Sequence, residues 1–282
     1  MNKETEGTLL AFIGLFLYGI EPVVIKANPA NPMSFAAFSA IIASFILWPI
    51  VFSTSSWKDV KENPQYIPKA VLVGIFGTAL AYIAYSYGAQ LSTAINASLI
   101  TRAEVLFSFV LAYILLRERI TREQVLWSVL ILLGLVLVIT QGKPVVPKKG
   151  DLLLLLVPLF WQSGHIIAKK LPYNPFLIAA FRNTFGGILL FILALPQGLE
   201  FSKFAMAEAI ILSLGQVIWY LSIKRINLSK ATAIITPAPA VAIGLALLLG
   251  EKFTGYHMIG FILITIGTLM VSRIKSELKE PA

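Results

Sequence analysis

The sequence predicts an all-α polytopic membrane protein, with ten transmembrane helices arranged as two inverted five-helix repeats. Three observations carry this prediction. Ten apolar stretches, each long enough to cross a bilayer, fill almost all of the 282-residue chain. Charged residues make up 13% of it, where a soluble chain carries about 25%. The last five stretches also echo the first five.

A hydrocarbon core about 30 Å thick takes roughly 20 helical residues per crossing. In chain order the stretches are Thr8–Ile25, Met33–Phe52, Ala70–Gln90, Ser92–Leu116 and Gln124–Thr140, then Leu152–Ala168, Phe176–Leu195, Phe204–Ile223, Ala231–Leu249 and Tyr256–Ser272. The first contains Glu21-Pro22 and lacks a small-residue cleavage site, so it reads as a retained helix and not a signal peptide. All ten are continuously apolar, without the alternation of an outer-membrane barrel. In lipid the backbone must satisfy its own hydrogen bonds, which leaves helices. The connectors are too short to form a soluble domain.

Composition excludes several functions. With no cysteine, the chain has no disulfide and no thiolate metal site. Its two histidines, His165 and His257, are too few for a histidine metal centre. No phosphate loop, nucleotide motif or acyl-transfer triad occurs, so the sequence predicts no enzyme, no cofactor and no ATP-driven pump. The net charge of +9 does not mark a nucleic-acid binder, because the Lys and Arg residues sit between apolar segments. The expected partners are a small-molecule substrate and membrane lipids.

With ten crossings both termini share one side. That side carries fifteen of the 23 Lys and Arg residues: Lys3, the Lys58–Lys69 and Arg117–Arg122 loops, Lys169, Lys170, the Lys224–Lys230 loop, and Arg273, Lys275 and Lys279. Six lie opposite, namely Lys26, Lys143, Lys148, Lys149, Lys203 and Lys252; Arg102 and Arg182 lie inside stretches. The positive-inside rule predicts a plasma (inner) membrane protein with both termini in the cytoplasm.

The duplication is visible residue by residue. At a shift of 143, Lys26, Pro29 and Pro32 fall on Lys169, Pro172 and Pro175, and Ala36-Ala37-Phe38 falls on Ala179-Ala180-Phe181. At 137, Leu91-Ser92 and Ala94 meet Leu228-Ser229 and Ala231; at 133, Glu118, Thr121 and Gly134 meet Glu251, Thr254 and Gly267. These matches define two units, 7–140 and 151–272. Five helices is an odd number, so the second unit enters the membrane from the opposite face. Inverted repeats suit a carrier, because two equivalent halves can exchange inward-open and outward-open shapes. Some channels carry them too, so a channel and a non-transporting membrane subunit remain alternatives.

The same residues resemble the drug/metabolite transporter superfamily, specifically EamA-type ten-helix transporters, over nearly the whole chain. The first helix reads Leu17-Tyr18-Gly19…Lys26. The fourth and fifth read Ser92-Thr93-Ala94, Leu115-Leu116-Arg117-Glu118-Arg119-Ile120-Thr121 and Gly134. The ninth and tenth read Leu228-Ser229-Lys230-Ala231, Leu248-Leu249-Gly250-Glu251-Lys252-Phe253-Thr254 and Gly267. The chain departs from the family pattern where the fourth helix has Glu104-Val105 and not Glu-Pro, and where Arg182 faces Ser39 at the equivalent second-helix position. The resemblance implies a secondary active carrier of small organic solutes, often an exporter of amino acids or related metabolites.

A charge at the centre of a membrane helix costs about 2.5–3.5 kcal/mol on insertion scales, so each one should face protein or a wet cavity. Glu104 either binds a substrate ammonium or exchanges a proton, or it is the permanent partner of an arginine. Arg102 lies two residues away, about 160° around a regular α-helix, so at least one of the two looks toward another helix. Arg102 binds a substrate carboxylate or pairs with Glu21 or Glu104. Glu21, before Pro22, lines a vestibule or reaches interfacial water. His165, at the position equivalent to Pro22, relays protons or packs through a hydrogen bond. Arg182 reaches the inner interface, stabilises the cavity or pairs within the fold. Tyr18, Tyr82, Tyr85, Trp161, Trp219 and Tyr220 occupy paired places in the two halves and either wall a cavity or anchor at the interface. Pro22, Pro237 and Pro239 are candidate hinges, because proline frees carbonyls about a turn upstream. Gly74, Gly77, Gly186, Gly187, Gly244 and Gly267 are expected to let helices approach closely, and Glu118 and Glu251 to cap helix ends or lie at the interface.

Overall fold

The computed structural model describes residues 2–104, 106–107, 110–111, 114, 121–142, 148–223, 225–226, 231 and 234–274. The motif 115–120 with Glu118, much of the second half of the fourth stretch, and Leu228-Ser229-Lys230 lie outside the described residues. Among the described residues the secondary structure is helical, with no strand.

The helix starts are fixed by local capping chemistry, and the capping is duplicated. Helix α1 (Lys3–Ala27) begins at Asn2, whose side chain accepts from the Thr5 amide. α2 (Pro32–Ser53) begins at Asn31 with proline in its first turn. Its counterpart α9 (Pro175–Ala194) begins at Asn174 in the same way. Proline suits that place, where its missing N–H would have no intrahelical partner. α7 (Arg122–Thr140) opens on a capping box of Thr121 and Gln124, and α12 (Gly255–Arg273) on one of Thr254 and His257.

Between them lie the short α3 (Lys58–Glu62), then α4 (Ile67–Gly74), a π-helical turn at Ile75–Leu80 and α5 (Ala81–Leu91), which together form one span. α6 (Ala94–Ile100) runs into a 3₁₀ turn at Thr101–Ala103. α8 is Lys149–Lys169, α10 is Lys203–Ile223 and α11 is Ala238–Leu248. Seven described helices are long and apolar enough to cross a membrane: α1, α2, α4–α5, α7, α8, α9 and α10. The segments in the fourth, ninth and tenth stretches are shorter. The ninth stretch is not one kinked helix. It breaks at Thr236-Pro237, and α11 starts at Ala238 with Pro237 as its cap residue and Pro239 in its first turn. α1, by contrast, runs without a break through Pro22.

Helix contacts come in matched pairs. α1 packs on α10 and α11, as α8 packs on α5 and α6. α2 packs on α10, as α9 packs on α4 and the π turn. α2 meets α9, α6 meets α11 and α7 meets α12. This is the pairing expected of two equivalent halves that face each other. Glu251 caps a helix of the other half: its carboxylate accepts from the Ala94 and Ile95 amides at 2.7 and 3.1 Å.

Glycine sets the closeness of two of these crossings. A Cβ on Gly186 would stand 2.6 Å from the Gly74 carbonyl, and one on Gly134 would stand 2.9 Å from the Gly260 carbonyl. Gly244, expected at such a contact, has open space around it. Gly134→Leu is expected to push α7 from α12 and destabilise the fold by about 1–3 kcal/mol, seen as a lower unfolding midpoint in detergent. An unchanged midpoint would show that this crossing has slack. The outward faces carry Phe45, Leu126, Ile192 and Leu248, all strongly exposed, as lipid-facing surfaces should.

Candidate functional site

Where the halves meet, the structure gathers most of the residues expected to carry function, together with one that sequence reasoning missed. Glu21 lies six residues before the end of α1, about 9 Å along the axis. Only 4% of it is exposed. The Tyr82 hydroxyl, from α5, donates to Glu21 Oε1. Tyr82, Tyr85 and Trp161 form one aromatic group, with ring centroids 5.5 to 6.4 Å apart. Tyr18 of α1 meets Trp219 of α10 edge-on at 6.5 Å, and the Tyr18 hydroxyl donates to the Gly215 carbonyl at 3.1 Å. The two groups mirror each other: α8 against α5, and α1 against α10.

The missed residue is Glu208 on α10. It is fully buried, and no backbone amide, hydroxyl, lysine or arginine donates to its carboxyl among the described residues. The Glu21 carboxyl lies beside it, on the helix that packs against α10. Glu208 sits in the eighth apolar stretch, and the rule that singled out Glu104 applies to it equally. The signal was present in the sequence.

The two arginines inside the membrane stretches are already engaged. Arg102 Nη1 lies 3.3 Å from Glu104 Oε1. The opposed faces expected for this pair are corrected here: Thr101–Ala103 is a 3₁₀ turn, and its tighter winding of three residues per turn narrows the angle enough for the long arginine side chain to reach. Arg182 donates from Nη2 to the Gly77 carbonyl at 2.5 Å and from Nε to Thr78 Oγ1 at 3.3 Å. Its Nη1 lies 3.4 Å from His165 Nε2. Arginine has donors only, so His165 Nε2 serves as acceptor there. Arg182 therefore pins the π turn to α9 and α8. Tyr18 feels the charges of Glu21, Arg182 and Glu104 together, which places these groups in one neighbourhood. Pro237 and Pro239 stand at the start of α11, where Ala238 and Val241 close on Gly19 of α1.

A second buried polar cluster also escaped the sequence. Asp151, in the first turn of α8, is fully buried. Its Oδ1 accepts from Ser92 Oγ at 2.5 Å and from Asn96 Nδ2 at 3.0 Å. Asn96 Oδ1 lies 3.0 Å from His257 Nε2, and Thr254 Oγ1 donates to Gln141 Oε1 at 2.6 Å. The cluster ties α6 to α8 and α12. No group of three or more acidic, histidine or cysteine side chains suited to a metal occurs among the described residues. A groove of about 630 Å³ between Thr121, Trp127 and Arg273 lies at the ends of α7 and α12, apart from both clusters.

The fold and the buried charges define a class: a polytopic, all-helical membrane protein built of two repeats, with its polar groups gathered between the halves. The chain belongs to the EamA-like transporter family, whose model matches residues 5–140 and 148–273. It is similar to "Uncharacterized transporter YyaM" of Bacillus subtilis (strain 168), at 25% identity over 264 residues covering 86% of this chain and 85% of that protein. It is also similar to a "Probable amino-acid metabolite efflux pump" of Escherichia coli (strain K12), at 22% identity over 290 residues covering 92% of each. A solved structure described only as the crystal structure of a protein matches with a TM-score of 0.66 and 16% identity, covering 95% of this chain and 98% of that one; at that identity it speaks for the fold alone. The chain is a multi-pass membrane transporter and not an enzyme, and its partners are small-molecule substrates within a lipid environment.

Proposed function

We propose that this transporter is a secondary carrier that exports small organic metabolites, such as amino acids, by alternating access. The observation that carries this reading is the set of buried charges between two matched halves. Glu21, Glu208, the Arg102–Glu104 pair and Arg182 lie where several helices meet, and membrane-buried charges mark substrate and ion pathways. In this reading the five-helix units 7–140 and 151–272 are inverted relative to each other and rock about the shared site, with both termini in the cytoplasm of a plasma-membrane protein. Pro22 in α1, and the break at Thr236-Pro237 with Pro239 in the first turn of α11, give the rocking its flexible points. The relatives named as amino-acid metabolite efflux pumps support the solute class.

Proteoliposomes test the reading. Vesicles preloaded with an unlabelled amino acid should take up the labelled one by saturable counterflow. Conductance without counterflow would make the protein a channel, and no movement across a broad amino-acid and metabolite panel would favour a non-transporting subunit. The driving force is the solute gradient or proton exchange at a buried acid. Glu104→Gln removes the negative charge opposite Arg102 and is expected to slow counterflow, measured across pH. Unchanged rate and unchanged pH profile would remove Glu104 from the site.

A further inference from the structure

The capping boxes of α7 and α12 match in geometry and differ in chemistry. At α7 the Thr121 amide donates to Gln124 Oε1 at 2.7 Å, and the Gln124 amide donates to Thr121 Oγ1 at 3.2 Å. At α12 the Thr254 amide donates to His257 Nδ1 at 3.1 Å, and the His257 amide donates to Thr254 Oγ1 at 3.3 Å. A glutamine side chain does not titrate, whereas an imidazole does near neutral pH.

Hydrogen bonds at both ends of the ring fix its state. A backbone amide only donates, so Nδ1 carries a lone pair. At the other end Asn96 Nδ2 donates to Asp151 Oδ1 at 3.0 Å, which turns Asn96 Oδ1 toward His257 Nε2, 3.0 Å away. An amide oxygen only accepts, so Nε2 carries the hydrogen. Gln141 Nε2 donates to the Val138 carbonyl at 2.7 Å, and Gln141 Oε1 then takes the Thr254 hydroxyl proton at 2.6 Å. His257 is therefore neutral, 5% exposed, and stacked on Phe253 with ring centroids 5.7 Å apart. A proton added at Nδ1 would face the Thr254 N–H, donor against donor. The nearest other acceptor for that proton is Thr254 Oγ1, 3.2 Å away, which leaves the Thr254 amide unpaired all the same. The bond to Asn96 survives, because Nε2 still donates. The charged groups around the ring are Asp151 of α8, behind Asn96; Glu251, whose carboxylate caps α6; and Lys26 at the end of α1, whose ammonium donates to the Ser92 carbonyl at 2.7 Å. α7 presents the neutral Gln141.

We propose that His257 is a proton-sensitive cap. Neutral, it holds the Thr254 amide and closes the start of α12. Protonated, it lets that amide go and stays with Asn96 beside Asp151, so the link from Leu249 to Thr254 loosens. The cap is intact above the titration of the ring and lost below it. Glu251 lies in that link and holds the Ala94 and Ile95 amides at the start of α6. α6 leads into the turn that bears Arg102 and Glu104, so loosening the link reaches the candidate site. The cap does not depend on the carrier reading, because no solute enters it.

The test uses the full-length protein in detergent with ¹⁵N-labelled histidine, followed by NMR from about pH 8 to about pH 4.5. The chain has two histidines, and their tautomers differ: His165 Nε2 faces Arg182 as an acceptor, whereas His257 Nε2 donates. One ring should be the Nε2–H tautomer at high pH and gain its second proton within this range, and that signal should vanish in His257→Gln. Hydrogen-exchange protection of the Thr254 amide should fall about fivefold or more as the ring charges, while that of the Thr121 amide stays constant. His257→Gln should restore a box like that of α7 and keep Thr254 protected at every pH. Absence of an Nε2–H ring at high pH, or a ring that stays neutral throughout, would overturn the proposal in the unsubstituted protein. Thr254 protection that ignores the charging of the ring would overturn it as well.

Discussion

Replacing Arg182 with methionine is expected to destabilise the protein by on the order of 3 kcal/mol and to abolish counterflow. Methionine keeps the length and apolar stem but donates nothing. The Gly77 carbonyl and the Thr78 hydroxyl lose the guanidinium that now bonds them at 2.5 and 3.3 Å, and His165 loses its neighbour at 3.4 Å. Gly77 and Thr78 belong to the π turn Ile75–Leu80. Such turns recur at functional positions, because they break the regular ladder and depend on outside partners. The change also removes positive charge that acts on Glu21 and Tyr18. Lysine should recover part of the stability, since an ammonium reaches one acceptor where the planar guanidinium reaches several. Thermal unfolding in detergent reads the first effect and proteoliposome counterflow the second. A variant as stable and active as the parent would show that Arg182 does not pin this turn.

Asp151→Ala is expected to have an effect of similar size, read in a different way. The fully buried carboxylate collects Ser92 Oγ from the segment joining α5 to α6 and Asn96 Nδ2 from the first turn of α6. Each charge-assisted bond contributes about 1.5–3 kcal/mol. Alanine leaves both donors buried without an acceptor, and frees Asn96 to release His257. The carboxylate also sits in the first turn of α8, where negative charge is favourable against the helix dipole. Asparagine keeps one acceptor oxygen and should recover about half of the loss. Hydrogen exchange should report the release, with amides at the start of α6 losing protection more than those of α7. Uniform loss across the protein would mean that Asp151 supports the fold globally and does not tie this junction in particular.

Much of the fold could be read from the sequence because lipid restricts the options. Every buried backbone group must be satisfied within its own segment, so a long apolar stretch can only be a helix. Cap residues then mark its start: Asn31-Pro32 and Asn174-Pro175, or Thr121…Gln124 and Thr254…His257, are local signals with local causes. The ninth stretch shows the limit of that logic. Apolar composition runs straight through Pro237 and Pro239, but the backbone does not, because a proline N–H is missing wherever the ladder needs one.

The site was legible only in part. Glu21 meets Tyr82, which groups with Tyr85 and Trp161, while Tyr18 meets Trp219. The Arg102–Glu104 pair forms through a 3₁₀ turn that a regular 100° helical wheel does not contain. Asp151 stands just outside an apolar stretch, where an acid is ordinarily solvated. Its burial depends on α6 and α12 folding over it.

The amino-acid order by itself determined the membrane setting, the helical backbone and the duplication, because each follows from how segments of the chain meet lipid or their own neighbours. The partner of each buried charge was decided only by tertiary packing, because a Coulomb interaction depends on distance through space and not along the chain. Glu21 and Glu208 are separated by most of the sequence, and only the packing of α1 on α10 brings their carboxyls together.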